Sequence, residues 1–177
     1  MLTMYRFRPR QDPQPRSGYA TCSDFCESFV HDSQPLYLLA FLLTGSHPEA
    51  EQCFIATVGD AVNANCVFKG WESSWSKRCL IINAIRRVFP GPTESDRKQD
   101  AQYEVEVESR ARCTINAVAG LAPPIQRFAF VMSVLEKYSE HECALLLGST
   151  PRDVVEARIQ ALWQLSGFTP AFAGSAG

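Results

Sequence analysis

The sequence predicts an all-α protein that consists of two small helical domains joined by a charged linker. Three observations support this class. Apolar residues recur at helical spacing, several segments begin with helix-capping residues, and no second alternating segment is present to complete a sheet. The chain has 177 residues, of which 46% are hydrophobic, so it can bury a core in one domain or two small ones.

The first domain is predicted to contain three helices. Leu36–Leu43 is continuously apolar, and its helix ends near Gly45. Ser46 is a capping residue and Glu49 stands three positions later, so a capping box is expected to open the second helix. The third helix is predicted over Glu72–Val88, where a proline–glycine–proline sequence stops it.

The second domain has the most specific pattern in the chain. A capping box at Ser139 opens a short helix, Gly148 ends it, and Thr150 caps a longer helix. Ala144 is small enough to let the two helices approach, and Val154 packs the second helix on the first. This spacing predicts a helix-turn-helix. The predicted organisation is a flexible tail at 1–17, a first domain at 18–92, a linker at 93–110, a helix-turn-helix domain at 111–166 and a second flexible tail at 167–177.

The net charge of −2 conceals a block pattern. Residues 17–68 contain no lysine or arginine and six acidic side chains, whereas residues 69–87 contain five basic side chains and one acidic side chain. Each block could be an ordinary solvated surface. A basic block that contains two tryptophans is also typical of a nucleic-acid surface, because cations meet phosphates and rings stack on bases. The acidic block would then face a basic protein partner, or nothing.

Several classes of protein are not expected. No apolar run approaches the roughly 18 residues of a membrane span, and no secretory signal is present, so a cytoplasmic protein is predicted. Nucleotide-binding and hydrolase motifs are missing, so neither an enzyme nor a cofactor is predicted. Cys22, Cys26 and His31 are close in sequence but lack a second ligand pair, so no metal site is predicted.

From about Leu36 to Leu165 the chain resembles a bacterial RNA polymerase sigma factor of the small, two-domain, extracytoplasmic-function type. Residues 36–45, followed by Ala50 and Glu51, resemble the opening of the family's first domain. Residues 71–87 fall where that domain recognises and melts the proximal promoter element, and 121–165 resembles the helix-turn-helix domain that reads the upstream element. The resemblance implies binding to core RNA polymerase and promoter DNA, with an inhibitory anti-sigma protein as a further candidate partner and no catalysis.

The resemblance also assigns candidate contacts. Cations and rings in the third helix would meet phosphates and unpaired bases, and side chains of the last helix would reach base edges in the major groove. The DNA-binding candidates are Trp71, Trp75, Lys77, Arg78, Asn83, Arg86, Arg87, Thr150, Arg152, Val155, Arg158 and Gln160. The core-polymerase-binding candidates are Glu51, Gln52 and Ile55.

Each of these candidates also has a purely structural interpretation. One of the two tryptophans in the basic block is expected in the core, and the sequence does not say which. Asn83 lies among isoleucines and is either a base contact or a hydrogen-bonded core amide. Arg152 and Arg158 are close enough to acidic neighbours on the same helix to form ion pairs at helical spacing.

Two departures from the family pattern support an alternative function. Gln52, Ile55 and Ala56 stand where the family's polymerase-binding motif has aspartate, glutamine and glutamate. Residues 121–166 carry four basic and five acidic side chains, so their attraction to phosphates is weak. The alternative is a degenerate sigma-like regulator or adaptor that acts through protein contacts without initiating transcription. A thiol or metal sensor built on the cysteines is a third hypothesis.

Overall fold

A computed structural model describes residues 18–64, 66–89 and 110–167. It confirms the all-helical class. These ranges contain no β-strand, and their only β-type pairing is an isolated antiparallel bridge between Tyr19 and Phe68. A π-helical turn, Val131–Leu135, continues the fifth helix. The helices are α1 (Cys22–Thr44), α2 (His47–Val62), α3 (Glu72–Val88), α4 (Arg110–Ala119), α5 (Pro124–Phe130), α6 (Glu140–Leu147) and α7 (Pro151–Ser166).

Helix α1 begins at Cys22, well before the Leu36 start that the apolar run indicated. The prediction was wrong because a capping box opens the helix earlier: the backbone N–H of Asp24 donates to the Thr21 hydroxyl, and the Asp24 carboxylate accepts from the Thr21 N–H at 2.6 Å. Pro35 lies inside the helix, where it removes one backbone hydrogen bond without ending the helix. The added turns bury Phe25.

The capping box predicted for the second helix does not form. Ser46 occupies the N-cap position of α2, but its side chain makes no capping hydrogen bond. The expected partner, Glu49, instead accepts a hydrogen bond from Arg87 of α3 at 3.0 Å. Pro48 lies in the first turn of α2, where its missing N–H costs no hydrogen bond, and α3 has the predicted bounds. The Glu49 carboxylate, which the local pattern assigned to the cap of α2, therefore forms an interhelical ion pair with Arg87 instead.

The short helix, glycine turn and second helix predicted for the C-terminal half are present as α6 and α7. Gly148 ends α6 in the left-handed conformation at φ 62°, which glycine adopts without steric cost. Ala144 of α6 and Val154 of α7 are both buried and belong to the same core cluster. Both predicted caps form complete capping boxes. With the one on α1, the boxes pair Thr21 with Asp24, Ser139 with Glu142, and Thr150 with Asp153.

One cluster of buried side chains draws on both halves of the chain. It includes Leu43 of α1, Leu80 of α3, Phe128 of α5 and Val154 of α7. Phe89, just after α3, packs against Phe128 with ring centroids 5.2 Å apart. Most of the predicted linker and both tails lie outside the described residues, and the division into two domains stays a prediction. What the structure shows is that the two halves share a core.

The Arg127 guanidinium is buried where the two halves meet. Its Nε donates to the carbonyl of Leu43 at 2.9 Å and its Nη2 to that of Thr44 at 3.1 Å, both in the last turn of α1. Its Nη1 donates to the carbonyl of Ala119, at the end of α4, at 2.8 Å. Burial lowers the pKa of Arg127. The partial negative charges of two helix C-termini therefore stabilise the cation, and no carboxylate takes part among the described contacts.

Gly45, which ends α1, is required at this junction for two reasons. Its φ of 74° is left-handed, and a Cβ there would lie 2.7 Å from both the Ala119 carbonyl oxygen and Arg127 Nη1. Gly148 is a natural comparison, since its φ is also positive but a Cβ there would meet nothing within 4 Å.

We expect Gly45→Ala to lower the free energy of unfolding by about 3 kcal/mol, because a left-handed alanine costs about 1–2 kcal/mol and the new methyl group displaces Arg127 or α4. Gly148→Ala should cost about 1 kcal/mol, the backbone term alone. Urea unfolding of both variants measures the difference. Equal losses of unfolding free energy in the two variants would show that the close approach at Gly45 does not contribute to stability.

The capping boxes predict a loss of stability in acid. Hydrogen bonds from the capping residues lower the pKa values of Asp24, Glu142 and Asp153. Because these values are depressed in the folded state, the stabilisation is complete above the unfolded value of about 4 and is lost as the pH falls through the folded values.

We therefore expect Asp153→Asn to lower the melting temperature at pH 7 and to differ little from wild type once the carboxylate is protonated. Thermal melts by circular dichroism across the acid range measure this convergence. Glu51→Gln, an exposed change outside the boxes, is the control. A deficit in Asp153→Asn that stays constant down to acid pH would contradict the prediction.

Candidate nucleic-acid and protein interfaces

An open groove of about 550 Å³ lies between the start of α3 and the segment that leads into α6. Four aromatic side chains line it, namely Phe68, Trp71, Trp75 and Tyr138. The two tryptophans were predicted from the sequence, whereas Phe68 and Tyr138 were not. The signal for Phe68 was available, since it directly precedes the basic block, whereas nothing near Tyr138 in the sequence connects it to α3.

The structure distinguishes the two tryptophans. Trp71 occupies the N-cap position of α3 and is 67% exposed, so most of its ring is open to solvent at the groove. Trp75 is half-buried and packs edge-on against Phe25, with ring centroids 5.2 Å apart. It packs against a small second core cluster that includes Phe25 and Val67. Trp75 is therefore the tryptophan expected in the core, and Trp71 is the one available to a ligand.

Three of the basic candidates are engaged in ion pairs. Lys77 Nζ lies 3.1 Å from the Glu136 carboxylate, which joins α3 to the C-terminal half. Arg87 pairs with Glu49 at 3.0 Å, and Arg158 pairs with Glu140 of α6 at 2.9 Å. Their charge is thus partly neutralised within the chain. The basic candidates outside the ion pairs of the described region are Arg78, Arg86 and Arg152.

Arg78 is the one basic candidate among the residues that line the groove. It is exposed, lines the groove, and acts electrostatically on Tyr138 and Glu142. Burial raises the pKa of Tyr138, an effect that Arg78 partly opposes. Lys137, held at a φ of 63°, also lines the groove. The groove therefore combines an exposed indole with two cations, although Glu136 and Glu142 balance part of this charge.

Two polar candidates are committed to internal hydrogen bonds. Asn83 is buried, and its amide nitrogen donates to the Thr57 hydroxyl at 3.2 Å and to the Asp60 carboxylate at 2.9 Å. This is the core-amide interpretation of the two that the sequence left open. Gln160 accepts a hydrogen bond from Gln126 of α5 at 2.6 Å, so its side chain helps to hold α7 on α5.

The polymerase-binding candidates form an accessible surface on α2. Glu51, Gln52 and Ile55 are all exposed, with Ile55 at 54%, while Cys53 between them is buried. Val62, two turns beyond Ile55, is 59% exposed. The structure therefore brings the three candidates together on one solvent-facing side of a helix that is otherwise packed on α1 and α3.

The outward side of α7 differs from the expected recognition surface. Thr150 caps the helix, Arg152 is exposed and Val155 is half-buried. Further along, three large apolar side chains are exposed together with polar ones. They are Ile159 at 39%, Leu162 at 45% and Trp163 at 38%. None of the three was predicted as a site residue, although the helical spacing of Val155, Ile159 and Leu162 was a visible signal for a second apolar side.

The cysteines give little support to the sensor hypothesis. Burial raises the pKa values of Cys53, Cys79 and Cys143 to about 11, so these thiols stay protonated at neutral pH. Cys22 and Cys26 are exposed. Nδ1 of nearby His31 pairs with Asp32 at 2.7 Å. In the described ranges, no group of three or more potential ligands is arranged to hold a metal ion.

Comparison with known proteins finds no family model, no curated protein and no solved structure that matches this chain. The resemblance to sigma factors therefore depends only on the residues quoted for it above. Within the described part of the chain, every helix is too short or too polar to cross a membrane.

The two tryptophans should respond differently to truncation. We expect Trp71→Ala to change the free energy of unfolding by at most about 0.5 kcal/mol, because the ring is mostly exposed. Trp75→Ala should cost about 2–3 kcal/mol, because it removes the contact with Phe25. Chemical denaturation of both variants makes the comparison. Similar losses would mean that the Trp71 ring is also part of the packed structure.

Proposed function

We propose that this chain is a sigma-like transcription factor of the cytoplasm that binds core RNA polymerase and an unpaired promoter strand. The observation that carries the proposal is the exposed ring of Trp71 beside Arg78 at the aromatic groove. An accessible indole and a cation that line one groove, the cation outside the ion pairs of the described region, suit single-stranded nucleic acid, since the ring stacks on a base and the cation meets the backbone.

The groove is a better support for DNA contact than α7. The groove offers several aromatic faces and two cations, whereas Arg152 is the only cation of α7 that is outside an ion pair in the described region. Major-groove recognition by α7 stays a prediction. The proposal therefore assigns the main nucleic-acid contact to strand capture at α3, in line with the melting role that the sigma-factor resemblance implies for residues 71–87.

Polymerase binding is assigned to the exposed side of α2. Ile55 supplies an apolar centre, and Glu51 and Gln52 supply a polar edge, which is the usual composition of a protein interface. The substitutions relative to the family motif make this surface less acidic. Under this proposal, apolar contact at Ile55 replaces part of the electrostatic contact.

The test is fluorescence anisotropy with a labelled single-stranded promoter oligonucleotide and its duplex at two salt concentrations. We expect the single strand to bind more tightly than the duplex, and Trp71→Ala to weaken single-strand binding at least about tenfold. Trp163→Ala is the matched control, since it removes another partly exposed indole away from the groove. Equal effects of the two variants, or no single-strand binding, would contradict the assignment.

One observation favours a second candidate function, a sigma-like adaptor that works only through protein contacts. Lys77, Arg87 and Arg158 are paired with carboxylates, and α7 exposes the large apolar side chains of Ile159, Leu162 and Trp163. Binding to core RNA polymerase that Ile55→Arg abolishes, without any binding to DNA, would support the adaptor. Binding to both would support the initiation factor.

A further inference from the structure

The first described residues of the chain lie at the edge of the aromatic groove. The Lys69 N–H donates to the Gly18 carbonyl at 3.0 Å. The Tyr19 ring stacks on the Phe68 ring with the ring centroids 4.9 Å apart, and Phe68 is one of the residues that line the groove. Residues 1–17, which lie outside the described ranges, are therefore joined to the folded part of the chain beside the groove.

The sequence of residues 1–17 is basic and partly aromatic. It contains four arginines and one aspartate, and the first three arginines alternate with Tyr5, Phe7 and Pro9. The arginines are Arg6, Arg8, Arg10 and Arg16. A guanidinium group binds phosphate through two parallel hydrogen bonds and also stacks on bases, as aromatic rings do. This composition therefore suits contact with a nucleic-acid strand.

The charges of the groove favour an anionic ligand over the N-terminal segment itself. The groove is lined by Arg78 and Lys137, which have the same sign as the arginines of residues 1–17. Its carboxylates, Glu136 and Glu142, already accept hydrogen bonds from a lysine of α3 and from the N-cap of α6. The groove thus offers the arginines no carboxylate that lacks a partner, whereas a polyanion attracts both sets of cations.

We infer that residues 6–16 bind the phosphates of the same nucleic-acid strand whose bases enter the groove. The inference rests on the proposed function and extends its site to a longer strand. Bases stack on Trp71 and Phe68, which are 67% and 58% exposed, and the strand then continues along the N-terminal segment. Because this segment is joined at Gly18, its effective concentration at a bound strand is about millimolar, so weak phosphate contacts add to the affinity.

The segment is long enough to follow a strand well beyond the groove. Residues 6–18 span at most about 40 Å when extended. Single-strand sites of similar proteins cover about 4–16 nucleotides, so the groove suits the lower end of this range and the groove with the segment suits the upper end.

The test is fluorescence anisotropy of the full chain with labelled single strands of about 4 and about 16 nucleotides over a range of salt concentrations. The variant replaces the four arginines by glutamine: Arg6→Gln, Arg8→Gln, Arg10→Gln and Arg16→Gln. We expect it to bind the longer strand at least about tenfold more weakly than wild type, and the slope of log affinity against log salt to become shallower by about 2–3, since each phosphate contact contributes about 0.7. The short strand should lose much less affinity, because the groove alone can hold it.

A second variant controls for net charge. It removes the same number of positive charges from another part of the chain, through Arg97→Gln, Lys98→Gln, Arg110→Gln and Arg112→Gln. We expect it to bind the longer strand within about twofold of wild type, because salt screens charges that do not contact the strand. Circular dichroism checks that both variants keep their helices.

Two results would overturn the inference. If the two variants lose the same affinity, net charge and not the position of the arginines determines binding. If the N-terminal variant binds more tightly than wild type, residues 1–17 cover the groove of the unbound chain. Trp71→Ala separates these results from a failure of the proposed function. Single-strand binding that depends on Trp71 but not on the four arginines removes only the inference, whereas a wild-type chain that binds no single strand removes both.

Discussion

The placement of the two halves depends on the contacts of one buried cation. Arg127 donates to the terminal carbonyls of α1 and to the end of α4, groups that would otherwise be left without partners by the ends of those helices. Gly45 allows the approach because it has no Cβ. The Phe89–Phe128 contact and the Lys77–Glu136 ion pair lie across the same junction. The groove has one wall from each half, so its shape also depends on this arginine.

Local hydrogen bonding explains what the sequence could predict. The caps at Ser139 and Thr150 are determined within four residues, so their boxes and the turn at Gly148 follow from the sequence alone. Glu49 failed as a cap for the opposite reason, because Arg87, distant in sequence, pairs with it. The groove could not be predicted either, because no sequence pattern connects Tyr138 to Trp71. An apolar run locates the buried part of a helix but not its start, which is why the beginning of α1 was misplaced.

Counting charges along the chain overestimates the positive charge of the surface, because carboxylates distant in sequence pair with the basic side chains. The basic block at 69–87 meets carboxylates from α2 and from Glu136, which lies 59 residues from its partner Lys77. Ion pairs of partly exposed groups contribute little to stability, but they reduce the positive potential that a phosphate would meet. Among the basic candidates of the block, Arg78 and Arg86 stay outside the ion pairs of the described region, and only Arg78 lines the groove with Trp71, so the candidate site is smaller and more aromatic than the sequence indicated.

Because the groove has one wall from each half of the chain, binding of a ligand in it is coupled to the packing of the two halves against each other. A ligand that contacts Trp71 on one side and Tyr138 on the other stabilises the packed arrangement by an amount that grows with its concentration relative to its dissociation constant. Linkage also works in the other direction: a change that loosens the junction weakens the apparent affinity of the groove in proportion to the fraction of molecules in which the two halves are no longer packed. Occupancy of the groove and packing of the two halves are in this sense coupled equilibria.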